Sequence, residues 1–195
     1  MILFLLFLHI TIWFLILGVL FVRNLSQMNR LMASHSATLK NPPRVSVLVP
    51  ARNEEDSIGD CLGSLLAQDY GNLEIIIAND RSTDGTGEIL KKFQERSHSH
   101  SLKVIEIEEP PAGWMGKCHA LYRAYQHVSA DSKWLLFMDA DIQLQRDTIR
   151  RAVCQSIKRE SDLTVVFPHL ICRGFWENAI MPIFMHLGVV SLRPK

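Results

Sequence analysis

The sequence lacks most of the signatures that assign a phosphate or metal site at sight. No G-x-G-x-x-G follows the first apolar run and no G-x-x-x-x-G-K-S/T occurs anywhere. That weakens a dinucleotide or P-loop reading. None of the eight histidines has another four residues further on, so a helical zinc pair is missing too. The four cysteines (Cys61, Cys118, Cys154, Cys172) show neither metal-ligand nor framework spacing. They read as thiols of a reducing compartment. Charge of one sign is also scarce: 21 Lys and Arg against 20 Asp and Glu leave +1. That gives no polycationic surface and argues against nucleic acid as a partner.

The first 22 residues carry no charged side chain, and only His9 and Thr11 are polar. A secretory signal would show a basic start and a small-residue cleavage site, and neither is present. The length suits a retained transmembrane helix over 1–22. Arg23, Arg30, Lys40 and Arg44 follow it and nothing basic but the α-amine precedes it, so the positive-inside rule predicts a cytoplasmic domain. A juxtamembrane connector over 23–43 ends in Asn41-Pro42-Pro43. At the other end, Phe175–Val190 is almost uninterrupted apolar sequence broken by Pro182. Over 171–195 this predicts an interfacial segment, a buried core helix, or the start of a further hydrophobic region.

Between these ends apolar runs alternate with amphipathic stretches. Val45–Val49, Leu73–Ala78, Leu102–Ile107, Trp134–Met138 and Leu163–Phe167 read as five strands. Ile58–Leu66, the Ile89–Phe93 region, Lys117–Val128 and Asp147–Ile157 read as helices, with Asn53 and Thr83 or Asp84 as candidate caps. The alternation predicts an α/β sandwich with a mostly parallel sheet.

Trp134-Leu135-Leu136-Phe137-Met138-Asp139-Ala140-Asp141 is the stretch that bears most on function. Five large apolar residues predict a strand buried on both faces, and two carboxylates one residue apart follow it. In extended chain both point to the same side. Adjacent carboxylates repel unless a cation lies between them, and a hard divalent metal carrying phosphate oxygens meets that need. Arg52-Asn53-Glu54 follows the first strand and Asn79–Asp84 the second. Three polar clusters at strand carboxyl ends lie where parallel sheets bind ligands.

These motifs resemble those of metal-dependent, inverting family 2 glycosyltransferases with the GT-A fold. Val47–Glu55 is similar to their opening strand and nucleotide-binding start, Asn79–Thr86 to their aspartate-rich turn, and Asp139-Ala140-Asp141 to their D-x-D. Pro111–Lys117 resembles a proline–glycine–tryptophan–x–glycine–lysine segment of the membrane-anchored group that includes hopanoid-associated, carotenoid and ceramide glycosyltransferases. The resemblance implies a GT-A domain over 44–170 that binds a nucleotide-sugar through Pro50, Arg52, Glu54, Asp80 and Asp139. It implies Mg²⁺ or Mn²⁺ on Asp141 and Asp139, with Lys117 and Asp139 near the donor phosphates. Trp114 would pack on a sugar or nucleoside face, and Lys117 at a helix start suits a diphosphate. Arg81 replaces the small residue or histidine often found at its position and receives no role.

The resemblance also implies parts not found. Beyond Asp162 the only acid is Glu177, and no Gln/Arg-x-x-Arg-Trp segment follows. No general base is identified, and the C-terminal part of a full enzyme is expected to be missing, with a C-terminal partner fragment as one remedy. The implied function is metal-dependent, inverting transfer from a UDP-sugar to a lipid or other membrane-associated acceptor. The alternative is a catalytically incomplete nucleotide-sugar-binding fragment or subunit. A nucleotidyltransferase is disfavoured because no glycine-rich basic loop follows the first strand.

Overall fold

The computed structural model describes residues 39–96 and 101–166 continuously, together with residues 4, 7–9, 11–13, 15, 16, 18, 19, 174–177 and 181. Residues Ser36–Val166 form one compact unit, and the segments Met1–His35 and Phe167–Lys195 belong to another.

In the larger unit the elements run β1 (Arg44–Ala51), α1 (Ile58–Leu66), β2 (Leu73–Asp80), α2 (Thr86–Arg96), β3 (Ser101–Ile107), α3 (Gly116–Tyr125), β4 (Ser132–Phe137) and α4 (Thr148–Lys158). The four strands form one parallel sheet in the order β3-β2-β1-β4. The first three strands step outward in one direction, and the β3–α3–β4 connection then returns to the far side of β1. The order therefore reverses between β1 and β4, and parallel sheets open a ligand crevice at the carboxyl ends of such a pair.

Period-two alternation divides the core between the two faces of the sheet. Val45, Val47 and Val49 of β1 and Ile75 and Ile77 of β2 pack with Ile58, Leu62 and Leu65 of α1, Leu90 of α2, and Ile149 and Val153 of α4. On the opposite face Leu48, Ile76, Ala78 and Ile107 meet α3 through Ala120 and Ala124. Two alanines four residues apart share one helix face and let α3 lie close to the sheet.

Three expectations are corrected. β4 is an edge strand among the described strands and alternates instead of being buried throughout. Trp134 and Leu136 pack against the core, while Leu135 and Phe137 are 38% and 55% exposed. An apolar run does not distinguish a central strand from an edge one. The expected fifth strand does not form over 163–166, where Leu163, Val165 and Val166 are exposed; Phe167 lies outside the described residues.

The expected membrane span over 1–22 is also overturned: among the described residues no helix is long and apolar enough to cross a membrane. A span needs about 20 consecutive apolar helical residues, and the described helical positions between 4 and 19 do not supply them. Two polar groups there are satisfied locally. Thr11 Oγ1 donates to the Phe7 carbonyl (2.8 Å) and Trp13 Nε1 to His9 Nε2 (3.0 Å). The membrane location and cytoplasmic orientation rested on that span and are withdrawn with it. Of the 171–195 tail, only 174–177 and 181 are described; Phe175–Glu177 are helical. The rest of the expected interfacial segment lies outside the described residues.

Candidate functional site

β1 and β2 end in loops that hold each other. Asn53 and Arg81 both turn the chain with φ of 54°, a left-handed conformation that Asn tolerates and Arg rarely adopts. Asn53 N–H donates to Ser82 Oγ (3.0 Å), and Thr83 N–H donates back to Asn53 Oδ1 (2.8 Å). Glu54 N–H donates to Thr86 Oγ1 (2.8 Å), Glu55 N–H to Asp84 Oδ2 (3.1 Å), and Gly85 N–H to Glu55 Oε2 (2.7 Å). Five such bonds at about 1 kcal/mol each are of the size needed to offset the roughly 1–3 kcal/mol that each left-handed residue costs.

This clasp revises the expected caps. Asn53 bridges the loops instead of capping α1, which starts at Ile58 after a turn closed by Ile58 N–H on the Glu54 carbonyl (2.9 Å). Asp84 accepts from the N–H of Thr86, the first residue of α2, at 3.0 Å. Hydrogen bonds from Thr86 and the Glu55 backbone hold the Asp84 carboxyl below its usual range.

The carboxylate pair follows β4 directly. Met138 and Ala140 are buried while Asp139 and Asp141 are exposed, so the alternation of the strand persists beyond its last paired residue. The next segment is pinned by α1. Ser64 Oγ accepts from Leu144 N–H (3.0 Å), and buried Gln68 donates to the Gln145 carbonyl (2.8 Å) while accepting from Ile149 N–H (3.2 Å). Beneath the pair, the Cys61 thiol is pushed up to about 12 by burial and by Asp141 and Glu54. It stays protonated and is no nucleophile.

α3 brings the third component. Gly116 is its first residue, and a Cβ there would lie 2.8 Å from Asp80 Oδ2. Lys117, on the same first turn, places Nζ 2.6 Å from Asp139 Oδ1. Arg81 Nε donates to Asp80 Oδ1 at 3.0 Å, and Arg52 Nη1 lies 3.8 Å from Asp80 Oδ2.

Together these ends enclose a cavity of about 360 Å³ at the β1–β4 reversal. Pro50, Arg52, Glu54, Asp80, Lys117, Asp139 and Asp141 all line it. Trp114 does not. It packs edge-on against His119 (5.6 Å between ring centres) and at a tilt against Tyr122 (5.2 Å), on the surface of α3. Two participants were not singled out beforehand. Gly116 lines the cavity, and its signal was its place just before Lys117 at the helix start. Arg81 contacts Asp80, and its only signal was its position next to that aspartate.

Four carboxylates and two cations line the cavity, an acidic excess that a divalent ion would offset. Among the described residues no group of three or more His, Cys, Asp or Glu is placed to hold a metal. Two carboxylates alone still suit Mg²⁺ or Mn²⁺, which bind through one or two carboxylates and complete their shells with water and substrate phosphates. The donor set therefore fits such an ion when a diphosphate comes with it.

The sequence profile of Glycosyl transferase family 2 covers residues 46–187. The chain belongs to glycosyl transferase family 2. The chain is 30% identical over 155 residues to the 4,4'-diaponeurosporenoate glycosyltransferase of Staphylococcus aureus strain USA300, across 78% of its own length and 38% of the relative's. A mannosyltransferase of Pyrobaculum calidifontis, solved with GDP-mannose and Mn²⁺, superposes with a TM-score of 0.53 at 28% identity, over 70% of this chain and 39% of that one. Staphylococcus aureus TarS with UDP-GlcNAc gives 0.52 at 26% identity, over 67% and 37%. The chain thus has an α/β GT-A-like fold, and it spans about two fifths of the length of these relatives.

Proposed function

We propose that this glycosyltransferase domain binds a nucleoside-diphosphate sugar in the β1–β4 cavity and passes the sugar to an apolar, lipid-like acceptor with inversion. The observation that supports this best is the convergence of seven separately expected residues on one cavity at the reversal of strand order. Asp80, buried at the end of β2, accepts from the nucleobase. Asp139 and Asp141 are the residues that would hold Mg²⁺ or Mn²⁺, and the relative solved with GDP-mannose and Mn²⁺ supports that choice. When bound, such an ion supplies positive charge that eases departure of the diphosphate. Lys117 begins as the counter-ion of Asp139 and turns to the diphosphate, where the start of α3 also favours negative charge. Arg52, beside Asp80, adds a second cation to the lining. The lipid-like acceptor is supported by the relative named for diaponeurosporenoate, and UDP as the carrier by TarS with UDP-GlcNAc.

A second reading is favoured by one observation. Four carboxylates line the cavity, Glu54, Asp80, Asp139 and Asp141, and if all four serve the donor, none of that lining is left over to deprotonate an acceptor. On that reading the chain holds the donor and a separate segment or partner supplies the base. Incubation with UDP-glucose, Mn²⁺ and a polyprenyl alcohol separates the two. Release of UDP matched by glycosylated alcohol supports the transferase; binding of UDP-glucose with no release supports the donor-holding module.

A further inference from the structure

The two related structures named above carry different nucleobases, guanine in one and uracil in the other, so kinship leaves the base open. The surroundings of Asp80 decide it. Its side chain is 6% exposed and its two oxygens have different neighbours. Oδ2 lies between Arg52, 3.8 Å away, and the Cα of Gly116, where a Cβ would come within 2.8 Å. Both neighbours line the cavity, so Oδ2 is the oxygen that faces it. Oδ1 is held from outside the lining by Arg81 Nε at 3.0 Å.

The backbone explains how a sequence neighbour reaches this oxygen. In an extended strand Arg81 would project to the opposite face from Asp80. Its φ of 54°, with its N–H on the Asn79 carbonyl at 3.2 Å, swings the side chain back onto Asp80. The clasp between the β1 and β2 loops keeps that turn in place.

We propose that Arg81 is a positioning residue that sets the nucleobase, selecting uracil over guanine by occupying the second oxygen of Asp80. The argument rests on the donor site proposed above. The pairing edge of guanine presents two adjacent donors, N1–H and the 2-amino group, which match a carboxylate with both oxygens free. With Oδ1 already accepting from Arg81, the amino group has to share that oxygen with a guanidinium donor that crowds and repels it, and a poorly paired polar group in a built site is what rejects a ligand. Uracil presents one donor, N3–H, between two carbonyls. Oδ2 accepts that single N–H, and the Arg52 guanidinium has donors free for a flanking carbonyl. Cytosine and adenine present a ring nitrogen acceptor there and face the carboxylate unfavourably.

The test is titration of the full chain with UDP and with GDP in the presence of Mn²⁺, for the natural protein and for Arg81→Asn, Arg81→Gly and Arg81→Lys. Asn and Gly accept the left-handed turn, so the change is confined to the side chain. The natural protein should prefer UDP by at least about tenfold, the scale of one well-made base contact. Asn and Gly should bring the two affinities to within about threefold of each other, mainly by tighter GDP binding. Lys, which keeps the charge without the fixed Nε, should retain part of the preference. The ratio is the readout, because a general loss of folding lowers both affinities together. Equal metal-dependent binding of UDP and GDP by the natural protein, or an unchanged ratio in Arg81→Asn, overturns this inference and leaves the donor site standing. Binding of neither nucleotide overturns both.

Discussion

Gly116 is where backbone geometry and site chemistry meet most closely. At an ordinary first helical position, alanine is the better residue by about 0.5–1 kcal/mol. Here its methyl would press on Asp80 Oδ2 at 2.8 Å. Asp80 is short, buried and held at Oδ1 by the Arg81 guanidinium, so it has little room to yield. Gly116→Ala is therefore expected to leave the melting temperature within a few degrees of the natural protein while weakening UDP binding about tenfold, the cost of one displaced contact. Calorimetric titration beside a thermal melt checks both halves. Lys117, its neighbour, was singled out in the sequence only through the resemblance of Pro111–Lys117 to a family segment, and it does line the cavity. Arg81 was not legible, because its role depends on a backbone turn that no residue type announces.

Among the elements, α3 carries Gly116 and Lys117 and must be held in register over the sheet. Its carboxyl end is fixed by Glu74, a carboxylate only 2% exposed at the amino end of β2. Glu74 accepts from Lys103 Nζ of β3 (2.7 Å), Ser46 Oγ of β1 (2.6 Å), and both Ser129 Oγ (2.6 Å) and Ser129 N–H (3.1 Å) just beyond α3. Burial alone would raise this carboxyl; the hydrogen bonds from Lys103, Ser129 and Ser46 outweigh it and bring it from 4.5 down to about 2. A depressed pKa stabilises the fold above the unfolded value and is lost as the pH falls through the folded one. Glu74 should thus contribute on the order of 3 kcal/mol at neutral pH that disappears between about pH 4.5 and pH 2. Urea denaturation across that range should show a steep acid limb in the natural protein and a shallower one in Glu74→Gln. Equal slopes would remove Glu74 from the account. The elements themselves were largely readable, since β-branched runs and amphipathic stretches alternate cleanly. What misled was pairing: Leu135 and Phe137 look buried in sequence, yet their strand lies at an edge of the described sheet. Leu163–Val166 has strand composition and finds no strand partner among the described residues.

At the scale of the whole molecule, function depends on topology more than on any one motif. The order β3-β2-β1-β4 places the end of β4 beside the end of β1, although some ninety residues separate Pro50 from Asp139 in the chain. Periodicity could predict a parallel sheet with polar clusters along one edge, but not the reversal that gathers them around a cavity. The apolar first segment shows the opposite limit. Composition alone suggested a membrane span, and the described helix does not supply one. The central claim is that Asp139 and Asp141 make nucleotide binding depend on a divalent cation. Calorimetric titration of UDP with and without Mn²⁺, for the natural protein and Asp141→Ala, tests it most directly. Binding should require Mn²⁺ and weaken at least about tenfold in Asp141→Ala, the loss of one ion contact worth about 1.4 kcal/mol or more. Binding that ignores Mn²⁺, or is unchanged by the substitution, would contradict it.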